Sequence, residues 1–156
     1  MGEFSLIIGR AEWTDLKTIL VLQREAYQSE AILYEDYDIQ PLIQTEEELE
    51  QEYAEGILLK AVAGGQLVGS VRGRLQDGTL SIGKLIVAPS HQNQGIGTKL
   101  MEAIEGWSPE ARRFELFTGH KSAKNLALYA RLGYATFKQI IINDNLILIY
   151  LSKNAS

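Results

Sequence analysis

"LIVAPSHQNQGIGTKLM", residues 85–101, is an apolar run that stops at a proline, crosses a polar loop and meets two glycines where an amphipathic segment begins. Val87-Ala88-Pro89 ends a β-like stretch, because proline removes a ladder donor. Ile96, Leu100 and Ile104 then recur at helical spacing, which predicts a helix from about Gly95 to Trp107. The first turn of a helix leaves main-chain N–H groups unpaired and carries a partial positive charge. Glycine takes away the Cβ that would keep a ligand off those groups. A strand, a glycine-rich loop and a helix in this order therefore point to an anion held at the helix start.

Two familiar phosphate loops fail on this stretch. A P-loop needs a glycine, four residues, then Gly-Lys-Ser/Thr, but Gly97 is followed by Thr98-Lys99 and lies only two positions after Gly95. A dinucleotide loop needs a third glycine where Leu100 stands. ATP and NAD are both disfavoured, and with them a nucleotide-binding protein.

Outward from this stretch the period of the apolar residues changes twice. "FSLIIG" (4–9) reads as a first strand. Thr14 and Asp15 stand where a helix cap belongs, before Leu16, Ile19, Leu20, Gln23, Ala26 and Tyr27 at helical spacing. "EAILYEDYDIQPL" (30–42) reads as an acidic, aromatic connection stopped by Pro41. "TEEELEQEYAEG" (45–56) opens with a Thr45–Glu48 capping box and closes on Gly56, where a left-handed cap is expected. Strands over 57–63, 66–76 and 79–88, joined by Gly64-Gly65 and Asp77-Gly78, form a meander. After the central helix come a strand over 112–119, a helix capped by Ser122 and closed by Gly133, and a hairpin of "YATFKQIII" and "LILIYL". The order β-α-α-β-β-β-α-β-α-β-β is that of an α/β sandwich on a mixed, mostly antiparallel sheet, one domain over residues 1–156.

In the fourth strand Leu80 and Ile82 share one alternation phase, and Leu85 and Val87 the other. An inserted residue near Gly83-Lys84 would produce that slip as a β-bulge. A strand apolar on both faces is the alternative. The bulge is the reading taken.

Composition limits the chemistry. A net charge of −5 gives no basic face for nucleic acid or anionic membrane. There is no cysteine, so disulfides and thiolate sites are excluded, and two histidines, His91 and His120, make a zinc site improbable. No apolar stretch approaches the about 20 residues of a membrane span. The N-terminal apolar run is too short for a signal peptide, and Leu6 replaces the Ser or Thr of a myristoylation signal. The Asn154-Ala155-Ser156 sequon is then a chance match. A cytoplasmic protein without a metal is expected.

The chain resembles the GNAT superfamily of acyl-coenzyme A-dependent N-acetyltransferases. The resemblance rests on Val87-Ala88-Pro89 followed by Gln92, Gly95 and Gly97, and on Asn125, Tyr129, Gly133 and Tyr134 in "NLALYARLGY", in the family's order. It implies transfer of an acetyl group from acetyl-coenzyme A to a primary amine. It also implies that Gln92, Asn93, Gln94, Gly95, Ile96, Gly97 and Thr98 hold the pyrophosphate, and that Leu85, Ile86 and Val87 bond the pantetheine amides. Asn125 would contact the cofactor, Tyr129 would serve as general acid to the thiolate, and the Val87 N–H would face the oxyanion. Many relatives carry a glutamate on the fourth strand, whereas this chain has no carboxylate between Thr79 and Val87. The base therefore stays open among Glu25, Glu30, Glu35, Asp36 and His120. Without that glutamate, a non-catalytic acyl-coenzyme A-binding module is the competing reading, and Tyr129 argues against it.

"SEAILYEDYD" (29–38) interleaves carboxylates with tyrosines. Glu30, Tyr34 and Glu35 are the candidates there for binding a small cationic amine or a lysine-like side chain. A solvated polar loop explains the same residues equally well. "LILIYL" (146–151) is apolar on both faces, which suggests a homodimer or a place inside the monomer's own sheet.

Overall fold

A computed structural model describes residues 5–156. Seven strands form a single sheet: β1 (Leu6–Arg10), β2 (Ile57–Ala63), β3 (Gln66–Gln76), β4 (Thr79–Val87), β5 (Arg113–Gly119), β6 (Ala135–Asn143) and β7 (Leu146–Asn154). Their order across the sheet is β1-β2-β3-β4-β5-β7-β6, antiparallel except where β4 meets β5. The sandwich and its mixed sheet follow the expectation. Of the strand expected over 4–9, Phe4 lies outside the described residues.

The hairpin turns form as their residues demand. Gly64 and Gly65 have φ of 56° and 79°, and Asp77 and Gly78 have 53° and 82°, the paired positive values of turns that match strand twist. The amphipathic helix α5 (Ile96–Trp107) lies on one face of the sheet. It comes close because β3 carries glycines beneath it: a Cβ on Gly69 would stand 3.0 Å from Leu100, and one on Gly73 3.3 Å from Ile104. On the other face, α1 (Leu16–Ala26) and α4 (Glu46–Glu55) bury Leu16, Ile19, Leu20 and Leu49 with Leu58 of β2. The α4 capping box forms, with Glu48 N donating to Thr45 Oγ1 at 3.2 Å and Thr45 N to Glu48 Oε1 at 2.9 Å.

Four local expectations are corrected. Residues 30–42 contain two further helices, α2 (Gln28–Tyr34) and α3 (Gln40–Ile43), where a connection was expected. Gly56 is extended, with φ of −143°; glycine is needed there because a Cβ would stand 2.5 Å from the Gly73 carbonyl oxygen. Helix α1 is entered through a turn of 3₁₀ helix at Trp13–Asp15, and Asp15, instead of capping α1, accepts from Glu12 N at 2.7 Å and pairs with Lys60 at 2.6 Å. Ser122 does not cap α6 (Ala123–Arg131), because its hydroxyl is engaged elsewhere. Gly133, at φ of 95°, closes α6 as expected.

The strand "LILIYL" lies half-buried between β5 and β6, so the exposed apolar residues belong to its neighbour. Every residue of β6 is exposed, including Phe137, Ile140, Ile141 and Ile142, and β6 is the edge of the sheet.

Candidate active site

Strands β4 and β5 pair only over Thr79–Ser81 with Arg113–Glu115. Beyond Ser81 they part, and the C-terminal half of β4 faces an opening. On its other edge β4 stays paired with β3, but the register shifts: Arg72 lies opposite Gly83 and Ser70 opposite Ile86. Two residues, Lys84 and Leu85, thus stand against Val71, which is the β-bulge that the phase slip implied. Lys84 takes a φ of 47° to make it. The bulge sends Lys84 toward α4, where its Nζ reaches Glu52, while Leu85 and Val87 approach Gly97 of α5. Ala88 N donates to Val68 O at 2.7 Å, so strand alternation turns the Val87 N–H the other way, toward the opening.

The loop after β4 makes a 3₁₀ turn at Pro89–His91, then passes through left-handed Asn93 (φ 64°) and Gly95 (φ 80°) into α5. Gly95 is the N-cap, and no side chain caps the helix. The first amides of α5, from Ile96 to Thr98, therefore keep their donors for an outside acceptor. Gln92 through Gly95 are exposed, and Ile96 is buried and anchors the turn. The two glycines do different work. Gly95 is required by its backbone angle, whereas a Cβ on Gly97 would make ordinary contacts of 3.7 Å and more with Leu128, Leu85 and Val87. These uncapped amides and the free edge of β4 suit an extended ligand with an anionic end.

Helix α6 packs near the start of α5, where a Cβ on Gly97 would stand 3.7 Å from Leu128. Tyr129 is buried, edge-on to Tyr134 with ring centroids 6.0 Å apart. Burial, with Tyr27 and Glu30 nearby, pushes its phenol far above the ordinary range, so it keeps its proton. Asn125, one turn earlier, donates to Thr118 Oγ1 at 3.3 Å.

The acidic segment is drawn in by one hydroxyl. Ser122 Oγ lies 2.7 Å from Tyr34 Oη and 2.9 Å from Glu30 Oε2, and Lys121 N donates to Tyr34 Oη at 3.0 Å. Glu30 and Tyr34 are thereby brought together, while Glu35 is exposed at the left-handed end of α2. Burial raises the Glu30 carboxyl, against the opposing effect of the Ser122 bond. Among the other base candidates, Glu25 is exposed and Asp36 accepts from Asp38 N at 2.8 Å. His120 Nδ1 accepts from Ile147 N at 2.9 Å, which leaves the ring proton on Nε2. Its outward nitrogen is then a donor, a poor arrangement for a base.

Residues that sequence reasoning missed lie on the α4 side of the bulge. Arg72, 7% exposed, donates to Glu52 Oε1 at 2.6 Å, to Gln44 Oε1 at 3.0 Å and to Gln23. Glu52 also meets Lys84 Nζ at 3.5 Å. Its carboxyl, raised by burial, is brought below the ordinary range by Arg72 and Lys84. The signal was Arg72 in the alternation phase of Val68 and Ser70, a charge on a buried face. Among the described residues, no group of three His, Asp or Glu is placed to hold a metal ion.

A sequence model of the Acetyltransferase (GNAT) family matches residues 16–134. The chain belongs to that family. No curated protein matches it in sequence. Solved structures match this acetyltransferase along nearly its whole length. The PaiA N-acetyltransferase of Thermoplasma acidophilum, in complex with coenzyme A, superposes with a TM-score of 0.81 at 18% identity, covering 97% of this chain and 99% of that one. The ribosomal-protein-S18-alanine N-acetyltransferase of Escherichia coli gives 0.80 at 15% identity, over 96% and 94%. A phosphinothricin acetyltransferase of Sinorhizobium meliloti, with acetyl-coenzyme A, gives 0.77 at 15% identity, over 96% and 88%. At such identities the likeness is one of fold. No helix among the described residues of the acetyltransferase is long and apolar enough to cross a membrane.

Proposed function

We propose that the chain moves an acetyl group from acetyl-coenzyme A to a primary amine by direct attack, in the cytoplasm. The observation that carries this reading is the parting of β4 and β5 beyond Ser81 beside the uncapped start of α5, with Tyr129 buried in the core cluster against which Leu85 and Val87 pack. Relatives of the same fold contain coenzyme A or acetyl-coenzyme A, and their names assign both protein and small-molecule acceptors.

The amides of Gln92 to Thr98 hold the pyrophosphate, and the free edge of Leu85, Ile86 and Val87 takes the pantetheine amides as an added strand would. Asn125 orients the same arm. When bound, acetyl-coenzyme A supplies a thioester, a carbonyl ready for attack. The amine nitrogen forms its bond to that carbonyl carbon while the carbon–sulfur bond breaks. The Val87 N–H stabilises the charge that develops on oxygen. Tyr129, whose buried phenol stays protonated, donates a hydrogen bond to the departing thiolate, and the proton that finally neutralises the thiolate is the one lost by the amine. Glu30, its carboxyl raised by burial, accepts the proton lost by the amine, directly or through one water.

Two measurements test the reading. Thermal unfolding with acetyl-coenzyme A, ATP and NAD should give stabilisation by the first alone. Release of free thiol across a panel of amines should then follow; stabilisation without thiol release from any amine would make the chain a sensor. We also propose that β6 pairs with its counterpart in a second copy, since this exposed apolar edge is open to pairing. A monomeric mass by light scattering would refute that pairing.

A further inference from the structure

Glu30 can take a proton only while it is ionised, yet it is half-buried, and among the described residues no cation forms a salt bridge with it. Burial alone favours the neutral acid. What faces the carboxylate is a hydroxyl: Ser122 Oγ lies 2.9 Å from Glu30 Oε2 and 3.2 Å from Oε1. Ser122 is 6% exposed, and Tyr34, 2.7 Å away on its other side, is 5% exposed.

Buried hydroxyls need partners, and here the partners fix which way each proton points. The Lys121 amide can only donate, and it donates to Tyr34 Oη at 3.0 Å. An ionised carboxylate can only accept, so the one proton of Ser122 goes to Glu30. Tyr34 is left to donate to Ser122. The Lys121 amide, Tyr34, Ser122 and Glu30 thus form one chain of hydrogen bonds, each donor used once and all aimed at the carboxylate. Protonation of Glu30 takes the charge out of the last bond and weakens it. The chain therefore favours the ionised form, against the effect of burial.

This chain lies where the sheet is open. Tyr34 rests against Gly119, at the end of β5 that has parted from β4. Ser122 leads into α6, its carbonyl accepting from Leu126 N at 3.0 Å. Ser122 and Tyr129 are seven positions apart, so two turns bring them to one face of α6, with Asn125 between them. The other titratable groups about the carboxylate are phenols: Tyr27 after α1, Tyr34 from α2 and Tyr129 from α6. All three are raised, and so neutral across the acid range. Lys121 Nζ lies 5.9 Å from the centre of the Tyr34 ring, and the His120 ring 6.1 Å from it.

We infer that Ser122 is a positioning residue: its hydroxyl, oriented by Tyr34 and the Lys121 amide, holds the Glu30 carboxylate ionised and in place at the open end of β5. This deepens the transferase reading and rests on it for the use made of Glu30.

The test follows the Glu30 carboxyl by carbon-13 NMR in the full chain, labelled at its glutamate carboxyls, the signal being assigned by its loss in Glu30→Gln. It needs no acetyl-coenzyme A, so its outcome does not depend on transfer. Ser122→Ala should move the Glu30 midpoint to higher pH, by about tenfold in proton concentration, for the loss of one charge-assisted bond. Ser122→Cys, of similar shape but a weak donor, should move it the same way and serves if Ser122→Ala does not fold. Ser122→Thr, which keeps the hydroxyl, should hold the wild-type midpoint. A midpoint unmoved in Ser122→Ala or Ser122→Cys, or moved as far in Ser122→Thr, overturns the inference. The acid limb of kcat/KM in the same variants tests the reading beneath it. A limb that stays while the Glu30 midpoint moves supports the hold of Ser122 and removes Glu30 as the proton acceptor.

Discussion

The hydroxyl of Tyr34 lies 2.7 Å from that of Ser122, a residue 88 positions further along the chain. The contact ties the end of α2 to the start of α6, and Gly119 makes room for it: a Cβ there would stand 2.0 Å from Tyr34 Oη. Gly106, inside α5, has nothing within 4 Å of the same atom. Gly119→Ala should therefore lower stability by roughly 1–3 kcal/mol through overpacking. Gly106→Ala should raise it by about 0.5–1 kcal/mol, because glycine is a poor helix former. Urea denaturation of both variants measures the contrast, and equal shifts would contradict the packing described.

Tyr129→Phe removes the proposed donor to sulfur and leaves the ring packed against Tyr134. Turnover should fall by roughly 10²-fold, with acetyl-coenzyme A affinity by calorimetry unchanged. Wild-type turnover in the variant would take Tyr129 out of the chemistry.

With Glu30 as the proposed proton acceptor, the expected pH dependence turns on its carboxyl, which burial raises. As a proton acceptor it works only when ionised, so kcat/KM should fall toward acid through a limb above the ordinary glutamate value of about 4.3. Glu30→Gln should abolish that limb and lower the rate. The sign for stability is opposite: a folded-state value above the unfolded one favours folding at low pH, and that contribution is lost as pH rises through the folded value. Wild-type protein should thus lose stability relative to Glu30→Gln across this window, measured by urea midpoints at a series of pH values.

Glu52 behaves in the reverse sense. Its carboxyl is depressed overall, burial raising it and Arg72 and Lys84 lowering it by more. Its stabilisation is present above the unfolded value and disappears as pH falls through the folded one. Glu52→Gln leaves Arg72 buried without its anion and should cost about 2 kcal/mol near neutral pH, less than a fully buried pair because Glu52 is partly exposed. A neutral substitution would mean that Gln23 and Gln44 suffice for the guanidinium.

What the sequence disclosed was whatever repeats along the chain or sits in a short window. The slip between Ile82 and Leu85 pointed to the bulge, since an inserted residue shifts the alternation phase, and the register shift opposite Val71 decides it against a strand apolar on both faces. The turn glycines and the Thr45–Glu48 box are local chemistry and were readable as such. Ser122 misled because a hydroxyl before a helix is a cap only if no tertiary partner claims it, and Tyr34 does. Helices α2 and α3, of seven and four residues, are too short to declare themselves, and their stability comes from packing. Arg72 was hidden because its partners arrive from α1, α3–α4 and α4, elements whose approach no single window encodes. The Arg72–Glu52–Lys84 cluster and the Tyr34–Ser122–Glu30 contacts are assembled from such long-range meetings, and the uncapped start of α5 comes from one continuous stretch.

The three rungs that join β4 to β5 have a mechanical consequence. The sheet is two ribbons sewn together at one end, β1 to β4 and β5 to β7, and anything lying along the seam above Ser81 acts as the missing stitching. Loading should then stiffen Leu116 to Gly119 far more than Thr79 to Ser81, so that deuterium uptake slows at the open end and hardly changes at the sewn one.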